Sequence, residues 1–111
     1  MTNGISDMDL VILEGTVIGM PFKSTAGDKT ALNFTIETMR HSNFGDKTYN
    51  HQVVLWNKLA DEFGEKIKNG TYIRGRGHLQ INKLTYKDIE SGEIKTMEYD
   101  KVSLDYIEVT E

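Results

Sequence analysis

Two-residue alternation runs through most of this 111-residue chain and gives way once, between residues 57 and 70, to a four-residue recurrence. That single change of period constrains the fold most. Alternation puts successive side chains on opposite faces of a strand, whereas recurrence every three to four residues makes one helical stripe. Five segments read as strands: Leu10 to Gly19, Ala31 to Met39, Thr48 to Trp56, Thr71 to Ile81 and Lys101 to Val109. The second alternates most cleanly, with Leu32, Phe34 and Ile36 on one face. In the fourth, Ile73, Gly75, Gly77 and Leu79 share one phase, and Tyr72, Arg74, Arg76, His78 and Gln80 share the other. In the helical stretch Leu59, Phe63 and Ile67 recur every four residues beside Ala60. Asn57 is the expected N-cap, Asp61 and Glu62 lie near the positive end of the dipole, Lys66 and Lys68 occupy the last turn, and Gly70 closes it.

The order is therefore three strands, one helix, two strands. That is the order of the OB-fold, an all-β class built as a small five-stranded Greek-key barrel with its helix between strands three and four. An SH3-like barrel shares the strand count but usually lacks the helix. Gly15 reads as a bulge, and Gly75 and Gly77 as points where coiled strands bend to close the barrel. Length gives one domain spanning residues 1–111, with a core from about residue 8 to 109. Pro21 marks a loop. "GDKT" occurs twice, each time before a strand, and is turn chemistry rather than a phosphate loop, because the Walker pattern needs another glycine five residues earlier.

The chain has no cysteine, which removes disulfides, thiolate metal sites and a cysteine nucleophile and fits a reducing compartment. The apolar run from Leu10 to Met20 carries Glu14 and two glycines and is too short to span a bilayer, and no basic segment precedes it. No membrane partner is expected. The sequon at Asn33 is idle without secretion. His41, His51 and His78 match no zinc spacing, and no GxSxG is present. The expectation is a protein without enzymatic activity, metal or cofactor.

Net charge is −4, but its distribution is uneven. Lys66, Lys68, Arg74, Arg76, Lys83 and Lys87 fall in a stretch with no carboxylate, interleaved with Tyr72 and Tyr86. From Asp88 onward eight carboxylates face only Lys95 and Lys101. Trp56, the one tryptophan, lies in phase with Thr48, Asn50, Gln52 and Val54, a face that would ordinarily meet water. Either it caps the core at the strand end, or it offers a flat surface to a ligand. Flat aromatics beside cations suit unpaired bases and their phosphates.

The segment from His51 to Ala60, "HQVVLWNKLA", followed by "IKNGTYIRGRGHL", resembles the bacterial single-stranded DNA-binding protein family. "LVILEGTVIGMPFKST", "LNFTIETM" and "KDIESGEIKTMEY" resemble its first strand, second strand and glycine-centred hairpin, so that the likeness covers Met8 to Val109. The resemblance implies an OB-fold that binds single-stranded DNA without strong sequence preference, in a dimer or tetramer, in the cytoplasm of a bacterial cell, encoded by the cell or by a phage. Residue by residue it implies that Trp56 stacks on a base, that Lys58 lies along the DNA and that His51 sits at a subunit interface. Asn50 stands where the family usually has a stacking tryptophan. Leu84 falls at another such place, with Tyr86 the substitute in the same phase. A third falls near Arg40 and His41, with Phe44 the nearest aromatic. Together with the residues' own chemistry this makes Trp56, Lys58, Tyr72, Arg74, Arg76, Lys83, Tyr86, Phe44 and Arg40 the expected DNA-contacting set. Because the sequence ends at "DYIEVTE", without the linker and acidic tip of the family, recruitment of replication proteins by that route is not expected. The competing readings are an RNA-binding OB domain and a protein-interaction module in which Trp56 and Tyr72 form an interface.

Overall fold

The computed structural model describes residues 10–110; Met8 and Asp9, where the family resemblance begins, and Glu111 lie outside the described residues. Five strands and one helix follow in the expected order: β1 (Val11–Ala26), β2 (Lys29–Arg40), β3 (Lys47–Trp56), α1 (Lys58–Phe63), β4 (Tyr72–Lys87) and β5 (Ile94–Thr110). The strands close into a barrel in the order β1-β2-β3-β5-β4, with β4 returning to β1. This is the OB-fold. All pairings are antiparallel except β3 with β5, which meet in parallel at Val53 with Val102 and Val54 with Ser103.

The inward phases fill the barrel. Leu13 and Val17 from β1, Leu32, Phe34 and Ile36 from β2, Val53 and Leu55 from β3, Ile73 from β4 and Leu104 and Ile107 from β5 are all buried. Ala60 and Ile67 are buried with them, and Leu59 and Phe63 pack against the cluster. The helical stripe thus plugs one end of the barrel, as its four-residue period predicts.

The helix itself is shorter than its sequence pattern suggests, ending at Phe63 with Gly64 as its cap. Glycine inside a helix costs about 1 kcal/mol relative to alanine, and one further turn follows, in which the Ile67 N–H donates to the Phe63 carbonyl at 3.1 Å. Lys66 and Lys68 therefore stand outside α1. Asn57 does not cap by its side chain. Its Oδ1 instead accepts the Thr30 N–H at 3.1 Å while its own N–H donates to the Thr30 carbonyl at 2.7 Å. That pair of bonds fastens the end of β3 to the start of β2. Gly70, at φ 93°, turns the chain into β4 instead of closing the helix, and its N–H reaches the Val17 carbonyl at 2.7 Å.

Three further expectations change. Gly15 is not a bulge: it pairs with Ile73 in register, and a methyl group there would press on the Glu37 backbone. The irregularity of β1 lies between Ile18 and Phe22, and Pro21 sits within it rather than in a separate loop. That is a place in a strand that tolerates a residue with no N–H to donate. The fourth and fifth strands are longer than alternation of apolar residues showed. From Gln80 to Lys87 and Ile94 to Lys101 they pair with each other as a two-stranded arm. The glycine-centred hairpin expected at "KDIESGEIKTMEY" is its tip, where Gly92, at φ 72°, donates to the Asp88 carbonyl at 2.8 Å.

Candidate nucleic-acid interface

Alternation along β4 sets out one row that runs from the barrel onto the arm: Tyr72, Arg74, Arg76, His78, Gln80, Asn82, Leu84 and Tyr86. Register with β5 places Ser103, Lys101, Tyr99, Met97 and Lys95 beside the last five of these. Trp56 meets this row at its middle. Its indole N–H donates to Gln80 Oε1 at 3.3 Å, and the ring is half-buried. The polar outer face of β3 is thus partly roofed where the arm leaves the barrel. Val54 and Asn33, paired across β3 and β2 on that outer face, are buried as well.

Beneath the arm lies a cavity of about 240 Å³ lined by Phe22, Asn33, Trp56, Gln80, Asn82 and Lys101, among others. Lys101 Nζ donates to Asn33 Oδ1 at 2.9 Å, and Asn33 Nδ2 donates to Ser24 Oγ at 3.3 Å. Phe22 is 61% exposed at the edge of this cavity. Phe22, Gln80, Asn82 and Lys101 line this cavity but are absent from the DNA-contacting set expected from the sequence. Lys101 escaped because it belongs to an acidic third of the chain, where a charge count treats it as a minority. Only the pairing of β5 with β4 reveals its neighbours.

The other expected contacts fall into separate places. Lys58 is exposed at the start of α1, two residues past Trp56. Tyr86 is near the arm tip in the same row as Gln80, 43% exposed. Lys83 belongs to the opposite face of the arm, opposite Glu98, with Nζ 3.8 Å from its carboxylate. Arg40 and Phe44 lie at the β2–β3 connection; Arg40 stacks on Tyr49 at 5.5 Å and Phe44 is almost wholly exposed. That connection leads into β3 at Lys47, nine residues from Trp56, or about 30 Å along an extended strand. Trp56 and Phe44 therefore stand at opposite ends of β3.

Tyr72, Arg74 and Arg76 stand at the barrel end of the row and are already engaged. Tyr72 donates its hydroxyl to Glu14 Oε1 at 3.0 Å, and Arg74 Nε donates to Glu14 Oε2 at 3.3 Å. Arg76 lies over the Tyr106 ring at 5.2 Å, and the Tyr106 hydroxyl donates to Glu108. The hydrogen bonds from Tyr72 and Arg74 hold the Glu14 carboxyl below its usual range, and the same carboxylate raises both partners. A depressed carboxylate contributes stability above its ordinary range and loses it as pH falls through the lowered value. Glu14→Gln is therefore expected to be slightly less stable than the parent near neutral pH, with the gap closing in acid; urea midpoints of the two proteins across pH check this.

His51 faces inward in phase with Val53 and Leu55 and is half-buried. Its Nε2 is 3.0 Å from Thr38 Oγ1. It lines a shallow surface with Ile12, Met39 and Tyr49, which are all exposed. Among the described residues no cluster of three or more histidines and carboxylates is placed to hold a metal ion, and no helix is long and apolar enough to cross a membrane.

A closed five-stranded OB barrel with an aromatic on the outer face of β3, flanked by a long β4–β5 arm, defines the class. The chain belongs to the Single-strand binding protein family, whose pattern it matches over residues 8–105. It is also 30% identical over 78 residues to Single-stranded DNA-binding protein 1 of Chlorobaculum tepidum. The alignment takes in 66% of this chain and 47% of that protein, so the chain spans about half the length of the curated relative it matches.

Proposed function

We propose that this protein binds single-stranded DNA without catalysing a reaction on it, as a sequence-tolerant coat serving replication, recombination or repair in a bacterial or phage-infected cell. The observation that carries the reading is Trp56: a large ring on the outer face, its N–H held by Gln80, with an ammonium group, Lys101, lining the same cavity. A base stacks on that ring while the strand runs along the arm towards Tyr86, and Lys58 and Lys101 lie near enough to this path to meet phosphates, whereas Lys95 is held by Asp88 at 2.7 Å. Tyr72, Arg74 and Arg76 extend the same row at the barrel end, where Glu14 and Glu108 offset their charge. Lys83, Arg40 and Phe44 reach the strand only if it wraps the arm or the β2–β3 connection. Family membership supports the reading, as does the name of the Chlorobaculum tepidum relative.

The test is tryptophan fluorescence during titration with dT oligomers at several salt concentrations. The single tryptophan makes quenching a direct report of a base on Trp56. With about four phosphates neutralised, log K is expected to fall with log salt at a slope near −3. Absent quenching at low salt sinks the assignment. We also propose that the face around His51, with exposed Ile12 and Met39 beside it, joins copies of this chain into a dimer or tetramer.

A further inference from the structure

We propose that the cavity beside Trp56 is a base-edge pocket that favours keto nucleobases over amino nucleobases. The proposal rests on the single-stranded DNA reading and adds a selectivity to it. Its warrant is a chain of hydrogen bonds whose direction is fixed from one end. An indole N–H can only donate. Gln80 Oε1, 3.3 Å from it, must therefore be the acceptor, and this orients the Gln80 amide. Gln80 Nε2 then donates to Asn82 Oδ1 at 3.1 Å. Asn82 Nδ2 is left as the last group of the relay, buried and with no hydrogen-bond partner.

The neighbouring strand of the arm has the same polarity, and its Lys101 reaches across to the barrel side of the cavity. Lys101 Nζ spends one hydrogen on Asn33 Oδ1 and lies 6.0 Å from the Tyr99 ring centroid, and an ammonium group carries three donors and no acceptor. Asn33 Nδ2 is directed to Ser24 Oγ. The pocket therefore offers donors in excess. An unmet buried donor is costly to keep, so an acceptor oxygen that enters the cavity gains what the amide lacks. Asn82 is itself only partly buried and is one of the residues that line the cavity.

Trp56 lines this cavity, so a base stacked on it turns an edge toward the donors. Uracil, thymine and guanine carry a carbonyl oxygen at the ring position where cytosine and adenine carry an amino group. The carbonyl accepts from Asn82 and Lys101. The amino group points hydrogens at hydrogens. At about 240 Å³ the cavity has the scale of about eight waters at about 30 Å³ each, enough for one base edge and not for two nucleotides.

The experiment compares dU and dC oligomers of equal length, which differ at ring positions 3 and 4 and share the absence of a 5-methyl group. Tryptophan quenching is measured for the parent, Asn82→Ala and Asn82→Asp. The parent is expected to bind dU about fivefold more tightly than dC, the lower end of what a well-placed base contact gives. Asn82→Ala is expected to bring the ratio close to one. Asn82→Asp keeps an acceptor for Gln80 but replaces the free donor by an oxygen, and is expected to reverse the preference toward dC. A dU-to-dC ratio that is the same in all three proteins overturns the pocket and assigns any preference to strand flexibility. Equal binding of both oligomers by the parent, as expected if ordered water fills the cavity, overturns it while leaving the DNA-binding reading intact. Absence of quenching by either oligomer overturns both.

Discussion

Trp56→Ala is expected to weaken the binding of a short dT oligomer by about 1–3 kcal/mol, the usual worth of one base–aromatic stack. The variant has no tryptophan left, so the affinity is read from the anisotropy of a labelled oligomer. The effect is expected on affinity and not on the slope of the salt dependence, because the indole contributes stacking and no charge. Trp56→Phe separates the two parts of the site. It keeps a flat ring for the base but loses the N–H that holds Gln80, so it is expected to recover part of the affinity. Stability is the control. The ring is half-buried and lies outside the barrel core, so the urea midpoint is expected to move far less than after truncation of fully buried Leu55 or Ile73, which costs about 2–5 kcal/mol. A folded Trp56→Ala protein that binds as tightly as the parent removes the stacking role and favours a protein-interaction surface.

The prominence of Trp56 was legible in the chain because alternation alone places it outside. What covers it was not. Residues Gln80, Asn82 and Lys101 come to Trp56 through the register of β4 with β5 and through the angle at which the arm leaves the barrel. Neither quantity has a local signal. The barrel was legible for the opposite reason: Leu32, Phe34, Ile36, Val53 and Leu55 repeat at the period of their own strands, and their burial follows from it. The same pattern misleads on the arm. Leu79 and Ile81 continue the inward phase of Ile73, yet they are 45% and 64% exposed, because the strand has by then passed the end of the barrel. Lys83 shows a different limit. A charge count groups it with Arg76 and Lys87, whereas parity already sets it on the face opposite Tyr86, and the structure pairs it with Glu98. Tyr72, Arg74 and Arg76 were visible as a basic, aromatic face, but the carboxylates that meet them come from β1 and β5, some sixty and thirty residues away in the chain; the hydrogen bond from Arg74 to Glu14 spans 60 residues.

The position of the arm depends on Gly77, and Gly77→Ala is expected to be the most damaging small substitution in the chain. Gly77 pairs with Leu104 where the β4–β5 register slips by one residue, leaving Asp105 as the extra residue on β5. A bulge of this kind bends a strand and increases its twist. Here it turns the ribbon from the barrel wall into the arm. A methyl group at Gly77 would fall 2.7 Å from the Leu104 Cα and closer still to the Ser103 carbonyl, so the obstruction is backbone that no rotamer change relieves. The cost is expected to reach about 3 kcal/mol or more, the upper end of overpacking penalties. Gly92→Ala at the arm tip supplies the comparison. There nothing lies within 4 Å, and only the positive φ of 72° opposes a side chain, at a cost of roughly 1–2 kcal/mol. Urea denaturation of both variants measures the difference. The two also divide in function. If Gly77→Ala folds at all, Ser103 and Leu104 must have moved, and Gln80 and Lys101 with them, so binding to Trp56 is expected to weaken together with stability. Gly92→Ala leaves that register alone and is expected to retain it. Equal stability losses in the two variants would show that the bulge yields to a side chain, and that the arm is aimed by something other than Gly77.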